Sequence, residues 1–145
     1  MNIQADATHA ASLPDAVLAE VASLLGVLSE TGDHGVIDLR GLPLSMEDLA
    51  AIEDRLGDGE VHAEISASGK SSVQETAYSG VWRVRHFSSS GAAIADQIVI
   101  GRVPEILMAH VDDIRDSVAR LRHSLNAPAE TALHSENPTT LEGRL

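Results

Sequence analysis

His86 and Asp96 are the two residues whose types and spacing best suit acid–base chemistry. They lie in neighbouring segments that are predicted to pair as the two strands of a β-hairpin, which would bring the side chains together. An imidazole next to a carboxylate can act as a general base. The same pair more often has a structural role, holding a hairpin together. A small acid–base enzyme using His86 and Asp96 is therefore an alternative interpretation, and we assign no catalytic residue.

Other motifs of metal or phosphate chemistry are incomplete in this sequence. The seven histidines are scattered, and none forms H-x-x-x-H or H-E-x-x-H, so we predict no metal and no cofactor. Gly69-Lys70-Ser71 matches the last residues of a phosphate-binding loop. However, Glu64 lies where that loop needs its first glycine, and a strand is predicted to follow instead of a helix. No G-x-S-x-G motif of a serine nucleophile occurs.

Arginines are the remaining candidates for a binding role. Arg83 and Arg85 are two residues apart and therefore share one face of a strand. With Arg102 they make up three of the ten basic residues in an acidic chain. They are predicted either to contact a partner or to pair within the sheet with Glu60, Glu64 or Glu75.

The hairpin that carries these residues is predicted from Val81 to Phe87 and from Ala93 to Ile100. Ser89-Ser90-Gly91 suits a three-residue loop, because glycine lacks the Cβ that clashes at positive φ. Extending the pairing from Ser88–Ala92 predicts the further pairs His86–Ile94, Val84–Asp96 and Trp82–Ile98. One face would be core, with Trp82, Val84, His86, Ile94, Ile98 and Ile100. The other would meet solvent or a partner, with Arg83, Arg85, Ala95 and Gln97.

Helices and further strands complete a predicted α+β fold. Ser12 and Ser45 can cap two helices, and Gly32 can end the first. Pro104 is predicted to open a last helix whose apolar residues are Leu107, Val111, Ile114, Val118, Leu121 and Leu125. This heptad spacing is typical of an intramolecular core, and a homodimer is the alternative. The fold class is a two-layer, mostly antiparallel sheet of about five strands packed by three helices.

Length and composition limit the protein's class. We expect a flexible N-terminus at residues 1–12, a single domain at 13–126 and a disordered tail at 127–145. The net charge of −12 disfavours nucleic acid, and the absence of cysteine excludes disulfides and thiolate metal sites. No apolar run approaches the roughly 18 residues of a membrane span, and residues 1–12 do not resemble a signal peptide. The sequence therefore predicts a cytoplasmic protein without membrane insertion.

Two segments resemble the HupH/HyaF family of hydrogenase expression and formation proteins. They are G-V-W-R-V-R-H-F at 80–87 and I-A-D-Q-I-V-I-G-R-V-P-E-I-L at 94–107. The positions that match the family pattern are Gly80, Trp82, Val84, Phe87, Gly101, Val103 and Pro104. His86 and Asp96 lie within the same segments. In length the chain is similar to short members such as HupJ or HoxT.

The resemblance implies an accessory protein in the assembly of uptake [NiFe]-hydrogenase, with no enzymatic activity. It implies as partner a hydrogenase subunit, with the small-subunit precursor favoured, or another maturation protein. The family supplies no catalytic residues. We further hypothesise that the acidic surface attracts the basic twin-arginine leader of an unexported subunit.

Overall fold

The computed structural model describes residues 11–128, which divide into two compact units, one up to Leu107 and one from Met108 onward. The first unit contains α1 (Leu13–Thr31), β1 (Gly35–Asp38), α2 (Met46–Leu56), β2 (His62–Ser66), β3 (Lys70–Glu75), β4 (Val81–Phe87) and β5 (Ala93–Ile100). The second contains α3 (Val111–Asn126). Three helices and a five-stranded antiparallel sheet confirm the predicted α+β fold class.

Most of the two predicted tails lies outside the residues that the structure describes. Apart from Ala11, Ser12, Ala127 and Pro128, the flexible segment expected at 1–12 and the tail expected at 127–145 lie outside the described residues. A single domain over 13–126 stays a prediction. Within residues 11–128, no helix combines the length and the hydrophobicity that crossing a membrane requires.

The first two helices begin at the serines that the sequence indicates. Ser12 Oγ accepts a hydrogen bond of 3.2 Å from the Asp15 amide, and the Asp15 carboxylate accepts one of 3.3 Å from the Ser12 amide. Ser45 and Asp48 form the same reciprocal capping box at 3.0 and 2.8 Å. Each box satisfies two amides that have no partner inside the helix. Gly32 ends α1 at a φ of 79°, in the left-handed region that favours glycine.

The sheet runs in the order β1-β5-β4-β3-β2, with every neighbouring pair antiparallel. Alternate residues of a strand point to opposite faces, and this sheet has an apolar cluster on each face. The face toward α1 and α2 is the larger core, whose buried residues are Val17, Val21, Leu39, Ile52, Leu56, Val81, Ile98 and Ile100. The opposite face carries Val73, Trp82 and Val84, with Ala63, Ile65, Val99 and Leu107 packed against them.

The β4–β5 turn is as predicted, but the pairing beyond it is not. Ser88 N donates to Ala92 O at 2.8 Å, and Gly91 has a φ of 84°. Phe87 then pairs with Ala93, whereas His86 pairs with Ala95, so Ile94 is an extra residue without a partner in β4. This β-bulge shifts every later pair by one position.

The bulge exchanges the faces of β5, and the predicted distribution of side chains was wrong for that strand. Asp96 lies opposite Arg85 instead of Val84, and Ile98 lies opposite Arg83 instead of Trp82. Ile98 and Ile100 therefore share the α2 side of the sheet with the two arginines. A face predicted to meet solvent or a partner is in fact part of the main core.

The last helix begins later than predicted. Pro104 is fully buried ahead of a short 3₁₀ turn at Glu105–Leu107, and α3 starts at Val111 with His110 as its N-cap. Leu107 packs against the Trp82 cluster and is not part of α3. The remaining heptad residues, here called the α3 seam, are exposed by 43% to 77%: Val111, Ile114, Val118, Leu121 and Leu125. The interpretation of this seam as intramolecular core stays a prediction.

Candidate functional site

The charged centre of the first unit is an ion pair between Arg83 and Asp96. Arg83 Nε donates to Asp96 Oδ1 and Arg83 Nη2 donates to Asp96 Oδ2, each at 2.7 Å. Both side chains are largely buried, at 8% and 13% exposure. A guanidinium and a carboxylate joined by two parallel hydrogen bonds form the strong, geometrically specific type of ion pair. The pair links two strands inside the main core.

A second carboxylate from α2 lies between the two arginines of β4. Glu53 Oε1 accepts a hydrogen bond of 3.1 Å from Arg85 Nη2. Glu53 Oε2 lies 3.7 Å from Arg83 Nη1, too far for a hydrogen bond. The Glu53 side chain is 56% exposed, so the bridge has a buried end at Arg83 and a solvent end at Glu53.

These contacts correct part of the predicted partner-binding surface. Arg83 is buried and pairs with Asp96, so it is not on an outer surface. Arg85 is half-buried and bonded to Glu53, a carboxylate that was not among the expected partners Glu60, Glu64 and Glu75. Arg102 is exposed, and its role in binding stays a prediction.

Arg83 Nη1 is buried and has no hydrogen-bond partner among the described residues. Arg83 itself lines a small cleft, whose other lining residues are Glu53, Leu56, Gly57, Asp58, Gln74, Thr76 and Arg85. On the cleft wall, Gln74 Nε2 donates to Asp58 Oδ1 at 3.0 Å. Burial lowers the pKa of Arg83, but the hydrogen bond and charge of Asp96 and the charge of Glu53 outweigh it, and the net effect raises this pKa. Arg83 is therefore a charged residue of the cleft wall with one buried donor, Nη1, that lacks an acceptor among the described residues.

The proposed His86–Asp96 dyad is absent, because the bulge places the two residues on opposite faces of the sheet. His86 Nδ1 lies 2.7 Å from Ser71 Oγ on the neighbouring strand, while both Asp96 oxygens are bonded to Arg83. The hydrogen-bonding contact of His86 thus ties β4 to β3. The acid–base interpretation that relied on His86 and Asp96 was wrong.

The other residues of the family pattern lie in or next to β4 and in the segment that follows β5. Trp82 is 5% exposed, and its indole Nε1 donates to Gly101 O at 3.0 Å. Gly80 has a φ of 89°, and a Cβ there would lie 3.2 Å from Leu25 Cδ1 on α1. Val84 is buried, Phe87 is half-buried and Val103 is 45% exposed. Most of the pattern is thus explained by packing and turn geometry.

Glu53 is the charged residue that the sequence analysis missed. It lies on α2 beside Ile52, and its position is four residues after Leu49 and three before Leu56. Residues three and four apart lie on the same side of a helix, so Glu53 borders the buried stripe of α2. A carboxylate at that border, with arginines expected on a nearby strand, is the signal that could have identified this contact.

Metal chemistry finds no support in the described part of the chain. Between residues 11 and 128, no group of three or more His, Asp or Glu side chains is close enough to hold a metal ion. The charged centre consists instead of ion pairs that Arg83 and Arg85 of β4 form with Asp96 and Glu53. The fold is that of a small α+β domain with a buried ion pair in its main core.

Comparisons with known proteins assign the family. The family described as HupH hydrogenase expression protein, C-terminal conserved region, matches residues 13–127. The hydrogenase expression/formation protein HupQ of Azotobacter chroococcum mcd 1 is 33% identical over 120 residues, covering 77% of this chain and 42% of HupQ. HupH of Rhodobacter capsulatus is 36% identical over 96 residues, covering 66% of this chain and 35% of HupH.

A solved structure agrees with these sequence matches. The hydrogenase expression protein HupH from Thiobacillus denitrificans ATCC 25259 superposes with a TM-score of 0.75 at 35% identity, covering 77% of this chain and 93% of that one. The chain belongs to the HupH C-terminal family, which confirms the resemblance seen in residues 80–87 and 94–107. It spans less than half the length of the curated relatives described here.

Proposed function

We propose that this chain is a cytoplasmic accessory protein in the maturation of uptake [NiFe]-hydrogenase, acting as a chaperone or scaffold for a subunit precursor. The observation that carries the proposal is the family match over residues 13–127, together with relatives named as hydrogenase expression or formation proteins. The protein acts by binding and not by catalysis. This agrees with the separate structural contacts of His86 and Asp96.

The small-subunit precursor is the favoured partner, with other maturation proteins as alternatives. A net charge of −12 favours association with a basic segment such as a twin-arginine leader. Attraction between exposed charges weakens as salt rises, because the screening length falls from about 10 Å at 0.1 M to about 3 Å at 1 M. Binding through the leader is therefore expected to be salt-sensitive.

The α3 seam is the surface that we assign to protein binding. Its five apolar residues share one side of the helix and are exposed by 43% to 77%. A continuous apolar stripe of this kind is typical of helices that dock against another surface. Burying the seam against a partner would give the apolar contact that supplements long-range charge attraction.

Affinity capture tests the proposal. The tagged chain is used as bait in hydrogenase-expressing cells, and recovery of the small or large subunit is measured with and without the leader and across a salt series. Val118→Gln and Leu121→Gln should reduce recovery, whereas Ala119→Gln and His123→Gln, on the other side of α3, should not. Recovery of neither subunit would contradict the proposal, and recovery unchanged by leader deletion or salt would contradict the leader hypothesis.

A homodimer through the α3 seam is the second candidate, and the exposure of the seam is the observation that favours it. In the heptad frame of the seam, the flanking positions hold Arg115 and Arg122 on one side and His110, Ser117 and Ser124 on the other. Two copies would therefore lack attractive charge pairs beside the seam. Light scattering distinguishes the cases, since a monomer at working concentrations removes the dimer.

A further inference from the structure

The cleft at the end of α2 is lined by two arginine side chains, and one of them has a buried donor without an acceptor among the described residues. Asp96 occupies Nε and Nη2 of Arg83, while Nη1 is buried without a partner among the described residues. Arg85 lines the same cleft and offers Nη2 to Glu53 at 3.1 Å. A buried donor left without an acceptor destabilises a fold, so such a donor in a cleft is a candidate for binding an acceptor.

Glu53 occupies the entrance of this cleft in a weak and replaceable contact. Its carboxylate lies 3.7 Å from Arg83 Nη1, and its side chain is 56% exposed. An ion pair that faces solvent contributes little, because water screens it and both side chains lose conformational freedom when it forms. Rotation of Glu53 into solvent would open the space between the two guanidinium groups while leaving the Arg83–Asp96 pair intact.

We propose that this cleft binds an incoming carboxylate, which replaces that of Glu53 and accepts hydrogen bonds from Arg83 Nη1 and Arg85. Charge balance selects the chemical class. Arg83 and Arg85 are balanced by Asp96 and Glu53, so removal of Glu53 leaves one positive charge for a single negative group. A neutral carbonyl would leave that charge unpaired, and a phosphate dianion would exceed it. Asp58 on the cleft wall, bonded to Gln74, repels any anion and a dianion about twice as strongly as a carboxylate.

The size of the cleft limits the ligand to one terminal group. Apart from the space that Glu53 would vacate, the cleft has a volume of about 20 Å³, enough for one water molecule. The carboxylate can come from the C-terminus of a peptide or from an Asp or Glu side chain. The inference goes beyond the proposed function, since it requires a carboxylate but does not depend on which protein supplies it.

The test is a titration of the full chain followed by NMR at the side-chain Nε–Hε signals of Arg83 and Arg85. The probes are Ac-Gly-Gly-Gly with a free C-terminus, Ac-Gly-Glu-Gly-NH₂, and Ac-Gly-Gln-Gly-NH₂ as the uncharged control. Comparing the first two probes distinguishes a terminal carboxylate from a side-chain carboxylate. At least one of them should shift both arginine signals, and the glutamine probe should shift neither.

Variants separate this site from general charge effects. Glu53→Gln removes the competing carboxylate and should tighten binding by about fivefold, because charge-assisted hydrogen bonds form without displacing an ion pair. Glu47→Gln, an exposed carboxylate elsewhere on α2, makes the same change in net charge and should leave the affinity unchanged. Arg85→Met should abolish measurable binding, and the variant retains the Arg83–Asp96 pair.

Three outcomes would overturn the inference. One is the absence of arginine shifts with both carboxylate probes in Glu53→Gln, which would mean that water alone serves Nη1. Another is equal tightening by Glu47→Gln and Glu53→Gln, which would indicate a general charge effect. The third is undiminished binding in Arg85→Met. None of these outcomes depends on capture of a hydrogenase subunit, so this test and that of the proposed function can fail separately.

Discussion

Arg83 on β4 and Asp96 on β5 are joined by two hydrogen bonds of 2.7 Å although they are not directly paired across the ladder. Asp96 lies opposite Arg85, and Arg83 lies opposite Ile98. The ion pair is thus diagonal, and a shift of β5 by one residue would turn Asp96 to the other face and break it. The pair therefore selects one register of the hairpin.

Removal of one partner should therefore be costly. Asp96→Ala leaves the buried guanidinium of Arg83 without its main acceptor, and we expect a loss of about 3–5 kcal/mol in the free energy of unfolding. Urea denaturation followed by circular dichroism measures it. Glu64→Ala is the control, because it removes a carboxylate that lies 3.9 Å from Lys70 in an exposed pair and should cost less than about 1 kcal/mol. Equal losses would contradict the importance of the buried pair.

Gly80 and Gly91 allow backbone strain to be separated from side-chain contact. Both have positive φ, at 89° and 84°, but only at Gly80 would a Cβ meet α1, at 3.2 Å from Leu25 Cδ1 and 3.4 Å from Leu28 Cδ2. Gly91→Ala should cost about 1–2 kcal/mol from the left-handed conformation alone. Gly80→Ala should cost more in the same urea experiment. A smaller loss at Gly80 would show that the contact with α1 is unimportant.

The capping box of α2 should contribute measurably to stability. Ser45→Ala removes the acceptor of the Asp48 amide, which lies 3.0 Å from Ser45 Oγ, and we expect a loss of about 1 kcal/mol. Ser23→Ala, at an exposed position inside α1, should be neutral or slightly stabilising because alanine is the better helix former. Thermal unfolding of both variants checks the difference. An unchanged melting temperature in Ser45→Ala would mean that water replaces the hydrogen bond from the Asp48 amide with no loss of stability.

Asp15 should make part of the stability depend on acid pH. Its hydrogen bond with Arg55, then those with Ser12, hold the pKa of Asp15 below its ordinary value of 3.8. Because the folded pKa is the lower one, this contribution is present above pH 3.8 and is lost as the pH falls through the folded pKa. Urea midpoints between about pH 5 and pH 2 should fall less steeply in Asp15→Asn than in the wild type. Asp33→Asn, beyond the end of α1, is the matched control, and an identical slope in wild type and Asp15→Asn would contradict this assignment.

Local signals made much of this fold predictable. The capping serines, Gly32 and the Ser89-Ser90-Gly91 loop each act over a few residues, and the helix starts and the hairpin turn were correctly predicted from them. The limits of β4 and β5 were also correct. The family pattern around Trp82 was informative for the same reason, since its glycines and its buried indole are fixed by near neighbours.

The errors arose where a distant contact decides between local alternatives. Nothing in the loop distinguishes a regular ladder from one with a bulge at Ile94, whereas the buried Arg83–Asp96 pair does. The start of α3 was placed at Pro104 because Leu107 and Val111 fit one helical stripe. Leu107 instead belongs to a separate turn that packs against the sheet. The role of Glu53 required knowing which strand lies beneath α2.

The single unpaired residue Ile94 shifts the pairing of all later residues of β5 by one position. Between the loop and Ile94, the hairpin pairs as the loop predicts. After Ile94, every residue of β5 points to the face opposite to the one that a regular ladder would give it. Without this insertion, Gln97 and Val99 would face the helices, and Ile98 would turn away from them. The shift would also pass to β1, which takes its alignment from β5 through pairs such as Ile37 with Ile98. One residue thus determines which side chains of two strands, β5 and β1, point into the core.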